Sequence, residues 1–332
     1  MKQPLRAVVV GTGSYVPEKV ITNDDLSRLV DTSDEWIRTR TGIRERRVLA
    51  EEQATSDMCV EAARQALADA RLRPEDVDLI IVATVTPDML FPSTACLVQE
   101  KLGAINAAAF DLSAGCTGFV YALAAGSQFV ETGLYRTVLV IGADALSRIV
   151  NWSDRSTCVL FGDGAGAVVL QGKPGAEHGI LGSYLKADGS GAGMLCLPAG
   201  GSRRPASAES VAAGLHYLYM EGKEVFKFAV KAMEDATAQT LQVCGLTERE
   251  VDFLIPHQAN MRIVEAAVKR LALPRERVIV NLDKYGNMSS ASVPVALDEA
   301  ARQGKFAAGN LILLVAFGAG LTWGGVAFRW AK

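Results

Sequence analysis

"RPEDVDLIIVATVTPD" at residues 73–88 has a counterpart in "TEREVDFLIPHQANM" at residues 247–261, since each combines an acidic helix end, a Val-Asp pair and an apolar strand. The two Val-Asp pairs, at Val77 and Val251, lie 174 residues apart. A second pair of similar segments, each a strand, a glycine-containing turn and an apolar run, is offset by 172 residues at Asp111 and Asp283. Self-similarity at a nearly constant offset predicts a duplicated structural unit.

A third similarity places the boundary between the two units. "FGDGAGAVVL" (161–170) resembles "FGAGLTWGGVAF" (317–328) at an offset of 156 residues, which predicts an insertion around residues 144–160 of the first half. We place the division in "GKPGAEH", with one half at residues 1–174 and the other at 175–332. Apolar strands alternate with amphipathic helices in each half, which favours an α/β fold with largely parallel sheets covered by helices.

Composition excludes several functional classes. The chain has 332 residues, 49% of them hydrophobic, and a net charge of -3, so no overall basic field points to nucleic acid. The longest uncharged stretch, 311–328, contains four glycines and is interpreted as two buried strands rather than a membrane span. The six cysteines include no CxxC pair, so neither a disulfide framework nor a zinc site is expected, and we predict a cytoplasmic protein.

One cysteine has an unusual setting. In "DLSAGCTGFVYAL" (111–123), Gly115 and Gly118 flank Cys116, and an apolar helix is predicted to follow. A helix N-terminus lowers a thiol pKa and favours the nucleophilic thiolate, and the glycines permit a close approach by a substrate. The alternative is a buried structural cysteine, which is the usual state of this residue type.

His257 and Asn287 are the other candidates for chemistry. His257 directly follows a predicted strand in "LIPHQANM", and Asn287 lies in the turn "KYGNMSSAS" that matches the turn of Cys116 in the other half. Their structural alternatives are a satisfied core histidine and a simple turn residue. "VVVGTGSYVPE" lacks the third glycine of a dinucleotide site, and "FGDGAG" and "FGAG" lack the Lys-Ser/Thr of a phosphate loop.

The combination of Cys116, "PHQAN", "GN-x-S" and "FGAGLTWG" resembles the thiolase-like condensing enzymes, specifically the β-ketoacyl-acyl-carrier-protein synthase III family. The resemblance covers nearly the whole chain, from "GTGSYVPE" to the final "FRW". It implies a layered α-β-α-β-α architecture of two duplicated halves. It also implies an acyltransferase that condenses an acyl-CoA primer with malonyl-acyl carrier protein to give 3-oxoacyl-acyl carrier protein, CoA and CO₂. The alternatives are a related synthase of a polyketide or quinolone-type pathway and an acyl transferase that uses the same triad.

The resemblance assigns a role to each matching residue. Cys116 matches the acyl-accepting nucleophile, His257 and Asn287 match the pair that binds the malonyl thioester carbonyl, and Phe317 matches a phenylalanine near the nucleophile. The backbone N–H groups of Cys116 and Ala319 match the oxyanion hole. Residues matching the CoA site are Trp36, Arg40, Arg155 and Asn260.

The remaining expectations are less specific. The predicted carrier-protein surface consists of Arg262, Lys223, Lys227, Lys269 and Arg270. Phe91, Leu146 and Phe161 are interpreted as lining the acyl pocket, and Met288 stands where a small residue is expected, with its effect on the pocket left open. The resemblance further implies a homodimer and no cofactor, while the preferred primer is left open.

Overall fold

The computed structural model describes residues 4–271 and 273–332, without the side chains of Ala267, Arg270 and Leu271. The strands are β1 (Leu5–Tyr15), β2 (Lys19–Thr22), β3 (Glu45–Val48), β4 (Leu79–Ala83), β5 (Ala108–Leu112), β6 (Thr137–Ala145), β7 (Asp163–Pro174), β8 (Gly179–Ala187), β9 (Leu195–Cys196), β10 (Tyr219–Met220), β11 (Phe253–Pro256), β12 (Leu311–Gly318) and β13 (Thr322–Arg329). The helices are α1 (Asn23–Ser27), α2 (Asp34–Thr41), α3 (Thr55–Ala70), α4 (Thr94–Leu102), α5 (Gly118–Glu131), α6 (Arg155–Cys158), α7 (Ala208–Ala212), α8 (Gly222–Cys244), α9 (Met261–Leu271), α10 (Leu282–Tyr285) and α11 (Ser292–Arg302).

The strand order of the two large sheets confirms the duplication. The first sheet has the order β1-β7-β6-β4-β5, and the second has the order β8-β13-β12-β11. In place of a fifth strand in the second sheet, Val278 forms a parallel bridge with Leu254 of β11. Strand directions match as well, because β4 and β11 run parallel to β6 and β12, while β7 and β13 run antiparallel to those same two strands. The expectation of largely parallel sheets is therefore wrong, and both sheets are mixed.

The connection between the last two strands of each half accounts for the difference in offset. Residues 319–321 join β12 to β13, a hairpin too short for anything but an antiparallel pair. In the first half the equivalent connection runs over residues 146–162 and carries α6, so the predicted insertion is confirmed. The two Phe-Gly pairs are not equivalent, however, because Phe317 lies within β12 whereas Phe161 precedes β7.

The core confirms the five-layer architecture. α3 and α4 pack on the outer face of the first sheet, and α8 and α9 pack on the outer face of the second. α5 and α11 lie between the two sheets, in a cluster that includes Val140, Leu314 and Phe328. These two helices are apolar on most sides because they are covered on most sides, as a central layer requires. Among the described residues, no helix combines the length and the hydropathy needed to cross a membrane.

The central layer brings corresponding turns together. α5 begins immediately after the turn Gly115–Thr117, and α11 begins immediately after the turn Ser289–Ala291. These turns are in contact, and a Cβ placed on Gly118 would meet the Cβ of Ser290 at 3.4 Å. The duplication therefore places the Cys116 turn beside the Asn287 segment at the interface of the halves.

Candidate active site

Cys116 lies in the turn between β5 and α5, as predicted, with its side chain at the head of the helix. Gly115 has φ +56°, a conformation that favours glycine, and a Cβ there would meet the backbone nitrogen of Ala319 at 2.8 Å. On the other side, a Cβ on Gly318 would meet the backbone nitrogen of Cys116 at 2.5 Å. Two glycines thus allow the chain around Cys116 to lie directly against the end of β12.

The two backbone N–H groups predicted for an oxyanion hole lie on these contacting segments. In the described part of the chain, the N–H groups of Cys116 and Ala319 donate to no other protein group. Unpaired N–H donors at a nearly buried site are what an oxyanion hole requires, because they are free to donate hydrogen bonds to an oxygen that gains negative charge.

Burial dominates the acidity of the Cys116 thiol. The residue is 9% exposed, and burial raises the pKa of its thiol to about 12, while the Ser289 hydroxyl and the backbone N–H of Cys116 act to lower it. A helix N-terminus contributes about 2 kcal/mol at most, whereas a rise of three pKa units corresponds to about 4 kcal/mol. The lowered thiol pKa expected from the helix alone is therefore wrong for the structure without substrate.

His257 follows β11 and is held from two sides. Its backbone N–H donates to the carbonyl of Val315 at 2.8 Å, and its ring packs edge to face on Phe317 with the ring centroids 5.2 Å apart. The residue is 1% exposed, and burial lowers the pKa of His257 to about 3, so the imidazole is neutral. A neutral imidazole carries one N–H, and its position depends on the partner of Nδ1.

That partner is the hydroxyl of Ser292. Its Oγ lies 3.1 Å from His257 Nδ1 and 2.7 Å from the carbonyl oxygen of Ser289, which also accepts the backbone N–H of Ser292. The hydroxyl has one proton, which the structure directs to the Ser289 carbonyl, since a carbonyl with two lone pairs can accept both donors. When the hydroxyl turns to donate to Nδ1 instead, the imidazole proton is on Nε2, where it serves as a hydrogen-bond donor.

Asn287 is held by hydrogen bonds that do not use its side-chain amide nitrogen. Its backbone N–H donates to the carbonyl of Leu160 at 2.8 Å, and its side-chain Oδ1 accepts from the backbone N–H of Ser289 at 2.8 Å. With Oδ1 engaged, Nδ2 is the group that the side chain can offer to a ligand. Asn287 lines the same cavity as Cys116, Phe317 and Gly318, so the structure brings residues of both halves together.

This cavity, which we call the entry cavity, extends from Cys116 toward the surface. It encloses about 650 Å³ including its open mouth, and its walls come mainly from β12, the start of α8 and the start of α9. Asn260 lies on this path, as predicted, and donates from its side chain to the carbonyl of Arg40 at 3.2 Å. Its Oδ1 also accepts the backbone N–H of Arg262 at 2.9 Å, so Asn260 ties α9 to α2.

The residues predicted to hold adenine are clustered on the surface. The guanidinium carbons of Arg40 and Arg155 lie 4.6 Å and 4.9 Å from the ring centroid of Trp36. Arg155 also donates to the carbonyl of Asp31 at 2.7 Å. A planar base between Arg155 and Trp36 needs about 7 Å, twice a carbon contact distance, so Arg155 must move for a base to enter.

The residues predicted to bind the carrier protein differ in their exposure and in their ion pairs. Arg262 and Lys269 are exposed on α9 and Lys223 is exposed at the start of α8. Lys227 pairs with Glu224 at 2.8 Å. The predicted role of Arg270 concerns a side chain outside the described residues. Arg262 donates to the carbonyl of Thr39 at 3.1 Å, which places it near the entry cavity.

A second cavity, which we call the inner cavity, lies on the other side of Cys116. Leu146 and Phe161 line it, as expected of the acyl pocket, together with other largely apolar residues that the sequence did not reveal, including Val85, Ile149, Leu195, Cys196 and Leu218. Phe91 lies outside both cavities and is 84% exposed, so the expectation for it is wrong within a single chain. Met288 lines neither cavity, because its buried side chain packs with Ala291 and Val295.

Ser289 and Ser292 are the site residues that the sequence analysis missed. Both are in the motif "GNMSSAS", but a serine in a turn carries no signal of its own role. The offset of 172 residues at Asp111 and Asp283 would have matched Gly115 to Asn287, and only the structure matches Gly115 to Ser289, since each of these begins its turn.

Comparisons with known proteins find similar chains over the full length of this one. A family model for 3-oxoacyl-[acyl-carrier-protein (ACP)] synthase III matches residues 110–189, and a model for its C-terminal part matches residues 241–330. The β-ketoacyl-[acyl-carrier-protein] synthase III of Caldanaerobacter subterraneus subsp. tengcongensis is 63% identical over 332 residues, 100% of both chains.

Solved structures are similar over the same length. The crystal structure of 3-oxoacyl-[acyl-carrier-protein] synthase III from Aquifex aeolicus VF5 has a TM-score of 0.90 and 49% sequence identity, covering 98% of this chain and 100% of that one. A priming β-ketosynthase from a polyketide biosynthetic pathway has a TM-score of 0.92 and 37% identity, covering 100% of this chain and 98% of that one.

Proposed function

The chain belongs to the β-ketoacyl-[acyl-carrier-protein] synthase III family, and we propose that Cys116, His257 and Asn287 perform its condensation of an acyl-CoA primer with malonyl-acyl carrier protein. The observation that supports these roles is that Cys116 and Asn287, from different halves, line one cavity whose wall includes Phe317, which packs on His257. The polyketide alternative is not favoured, because the relative from such a pathway is less similar in sequence, at 37% identity, than the family members at 49% and 63% identity.

The first half-reaction acylates the thiol. Sulfur of Cys116 attacks the carbonyl carbon of acyl-CoA, the C–S bond to CoA breaks, and the thiol proton leaves with the CoA sulfur. The N–H groups of Cys116 and Ala319 stabilise the oxyanion formed during the attack. The acyl chain then occupies the inner cavity, and free CoA leaves through the entry cavity.

The second half-reaction uses the other two residues. The carbonyl oxygen of the malonyl thioester accepts from Nδ2 of Asn287 and Nε2–H of His257 while the C–C bond to the carboxylate breaks and CO₂ departs. The resulting enolate carbon attacks the acyl carbon on Cys116, which forms the new C–C bond and releases the thiolate. A proton from solvent restores the thiol. This chemistry uses no cofactor, because loss of CO₂ supplies the carbanion.

Mass spectrometry separates the two half-reactions. Incubation with acyl-CoA is expected to add one acyl group to the peptide containing Cys116, and Cys116→Ala to abolish the adduct. His257→Ala is expected to retain acylation and to lose release of CO₂ from malonyl-acyl carrier protein. Acylation at another residue, or unchanged CO₂ release by His257→Ala, would contradict these assignments.

The residues around the mouth of the entry cavity support binding of both substrates. Trp36, Arg40 and Arg155 offer a stacking surface for adenine, and Arg262 with Lys223 offers positive charge to an acidic carrier protein. Arg262→Glu is expected to raise KM for malonyl-acyl carrier protein and to spare acyl-CoA. Lys305→Glu, an exposed lysine outside the residues of the mouth, is the matched control. An equal rise for both substrates would contradict a carrier-specific role.

A homodimer is supported by one edge of the first sheet. β5 is the outer strand of that sheet, and its Phe110 is 36% exposed. Leu90 and Phe91, in the loop between β4 and α4, are 80% and 84% exposed. An apolar sheet edge of this kind is commonly covered by another chain. Light scattering is expected to give twice the chain mass, and Phe110→Asp to lower it. A monomeric wild-type protein would contradict this proposal.

The cytoplasm is the compartment we propose, because the mechanism needs a free thiol. All six cysteines are free in the structure, and reducing compartments keep them so.

A further inference from the structure

Ser289 carries a buried hydroxyl that has no hydrogen-bond partner. The residue is 2% exposed, and its Oγ is one of the few buried side-chain atoms of the described chain without a donor or acceptor. Leaving a buried hydroxyl unpaired is destabilising, so such a group in a native site requires an explanation. The neighbouring hydroxyls are paired, since Ser290 Oγ bonds to Ala83 and Asp144 at 2.8 Å each and Ser292 Oγ bonds as described above.

The backbone at Ser289 is costly for a residue with a side chain. Its φ is +48°, and the equivalent position at the start of the matching turn in the first half is Gly115, with φ +56°. Glycine adopts this conformation without strain, whereas a residue with a Cβ is strained in it. The chain thus uses glycine at one copy of the position and keeps a hydroxymethyl group at the other.

The residues around the Ser289 hydroxyl indicate which group it can bond to. Ser289 lines the inner cavity together with Cys116, Gly115 and Ala319. The hydroxyl is close enough to the sulfur to lower the pKa of the Cys116 thiol, yet it does not complete a hydrogen bond in the structure. Hydrogen bonds at catalytic groups are often loose without substrate and shorten during the reaction.

We propose that the Ser289 hydroxyl is a further catalytic donor, which hydrogen-bonds to the Cys116 sulfur as that sulfur gains negative charge. The inference rests on the proposed role of Cys116 as the nucleophile. The donor acts when the thiol proton departs toward the CoA sulfur, and again when the thiolate leaves the acyl group. Ser289 keeps its own proton throughout, so the balance of each half-reaction is unchanged.

Other titratable groups near the sulfur do not supply this donor. His257 is neutral, and the role proposed for its Nε2–H lies at the malonyl oxygen. Asp144, at the end of β6, is a negative group that disfavours the thiolate, and its oxygens accept from Thr84, Val85, Thr86 and Ser290. The Ser289 hydroxyl is therefore the side-chain donor that the described structure places at the thiol.

Two substitutions separate the effect of the Ser289 hydroxyl from the effect of its backbone conformation. Ser289→Ala and Ser289→Gly both remove Oγ, but only glycine relaxes the positive φ. Alkylation of Cys116 by iodoacetamide, followed at its own peptide by mass spectrometry at pH 8, is expected to be about fivefold slower in both variants. Loss of a charge-assisted hydrogen bond lowers the thiolate fraction by about tenfold or more. The remaining thiolate is less stabilised and therefore more nucleophilic, so the alkylation rate falls by less than the thiolate fraction.

The controls distinguish the hydroxyl from a general loss of packing. Ser127→Ala removes a buried, paired hydroxyl of α5 and is expected to alkylate at the wild-type rate. Single-turnover acylation by acyl-CoA is expected to slow about tenfold in both Ser289 variants. Wild-type rates in both variants, or a defect in Ser289→Ala that Ser289→Gly repairs, would overturn the proposal. Because alkylation needs neither substrate, this result is independent of whether wild-type enzyme condenses acyl-CoA with malonyl-acyl carrier protein.

Discussion

Gly318→Ala tests whether contact between the end of β12 and the Cys116 turn sets the position of the nucleophile. The added Cβ would lie 2.5 Å from the backbone nitrogen of Cys116, 2.8 Å from its Cβ and 3.0 Å from its Cα. None of these atoms can avoid the contact by a side-chain rotation. To reach an ordinary contact of 3.4 Å, the Cys116 turn must move by about 0.9 Å.

A shift of this size is large for catalysis. Displacement of a reacting group by about 1 Å can cost about 100-fold in rate. The nitrogen that must move is also one of the two proposed oxyanion donors. We therefore expect acylation of Cys116 by acyl-CoA, measured in a single turnover by mass spectrometry, to fall about 100-fold.

The control uses a glycine in the segment leading to the same cavities. A Cβ on Gly193, two residues before Leu195, would meet no atom within 4 Å, so Gly193→Ala is expected to acylate at the wild-type rate. Thermal unfolding of both variants separates displacement of the turn from loss of the fold. A folded Gly318→Ala protein that acylates at the wild-type rate would refute the reasoning.

Three further predictions concern other parts of the site. Asn287→Asp keeps the acceptor for the Ser289 N–H but loses the Nδ2 donor. The rate of CO₂ release by the preformed acyl-enzyme should therefore fall by about 10²–10³-fold. An unchanged rate would show that Asn287 has no part in the mechanism. Burial lowers the pKa of His257 to about 3, against about 6.5 in an unfolded chain, so the unfolded chain takes up the proton first as the pH falls. The free energy of unfolding should not depend on the titration of this residue above pH 6.5 and should decline below it, by roughly 3 kcal/mol at pH 4.5. Urea unfolding should show a smaller decline in His257→Gln than in wild type. Trp36→Ala should raise KM for acyl-CoA but not for acyl-pantetheine, which lacks adenine, and equal effects on the two substrates would show that Trp36 does not bind the base.

Local pattern was sufficient for the duplication and for the turn that carries Cys116, whereas the layered architecture and the role of the thiol came from the family resemblance. The Val-Asp pairs at Val77 and Val251 identified the duplication because a strand and its preceding helix end are encoded by adjacent residues. The glycines around Cys116 predicted a tight turn before a helix, and the turn is present. The strand directions could not be predicted from local sequence, since strand pairing joins residues that are far apart in the chain.

Tertiary structure alone decided how each group behaves chemically. The thiol pKa of Cys116 depends on burial by β12 and the Ser289 turn, residues from the far end of the sequence, and this burial outweighs the helix N-terminus that the local sequence predicts. The sequence left the effect of Met288 on the pocket open, and its side chain packs in the core, whereas Ser289, one residue later, lines the inner cavity. Adjacent residues of a turn point in different directions, and only the packing of the two halves determines which of them meets the sulfur.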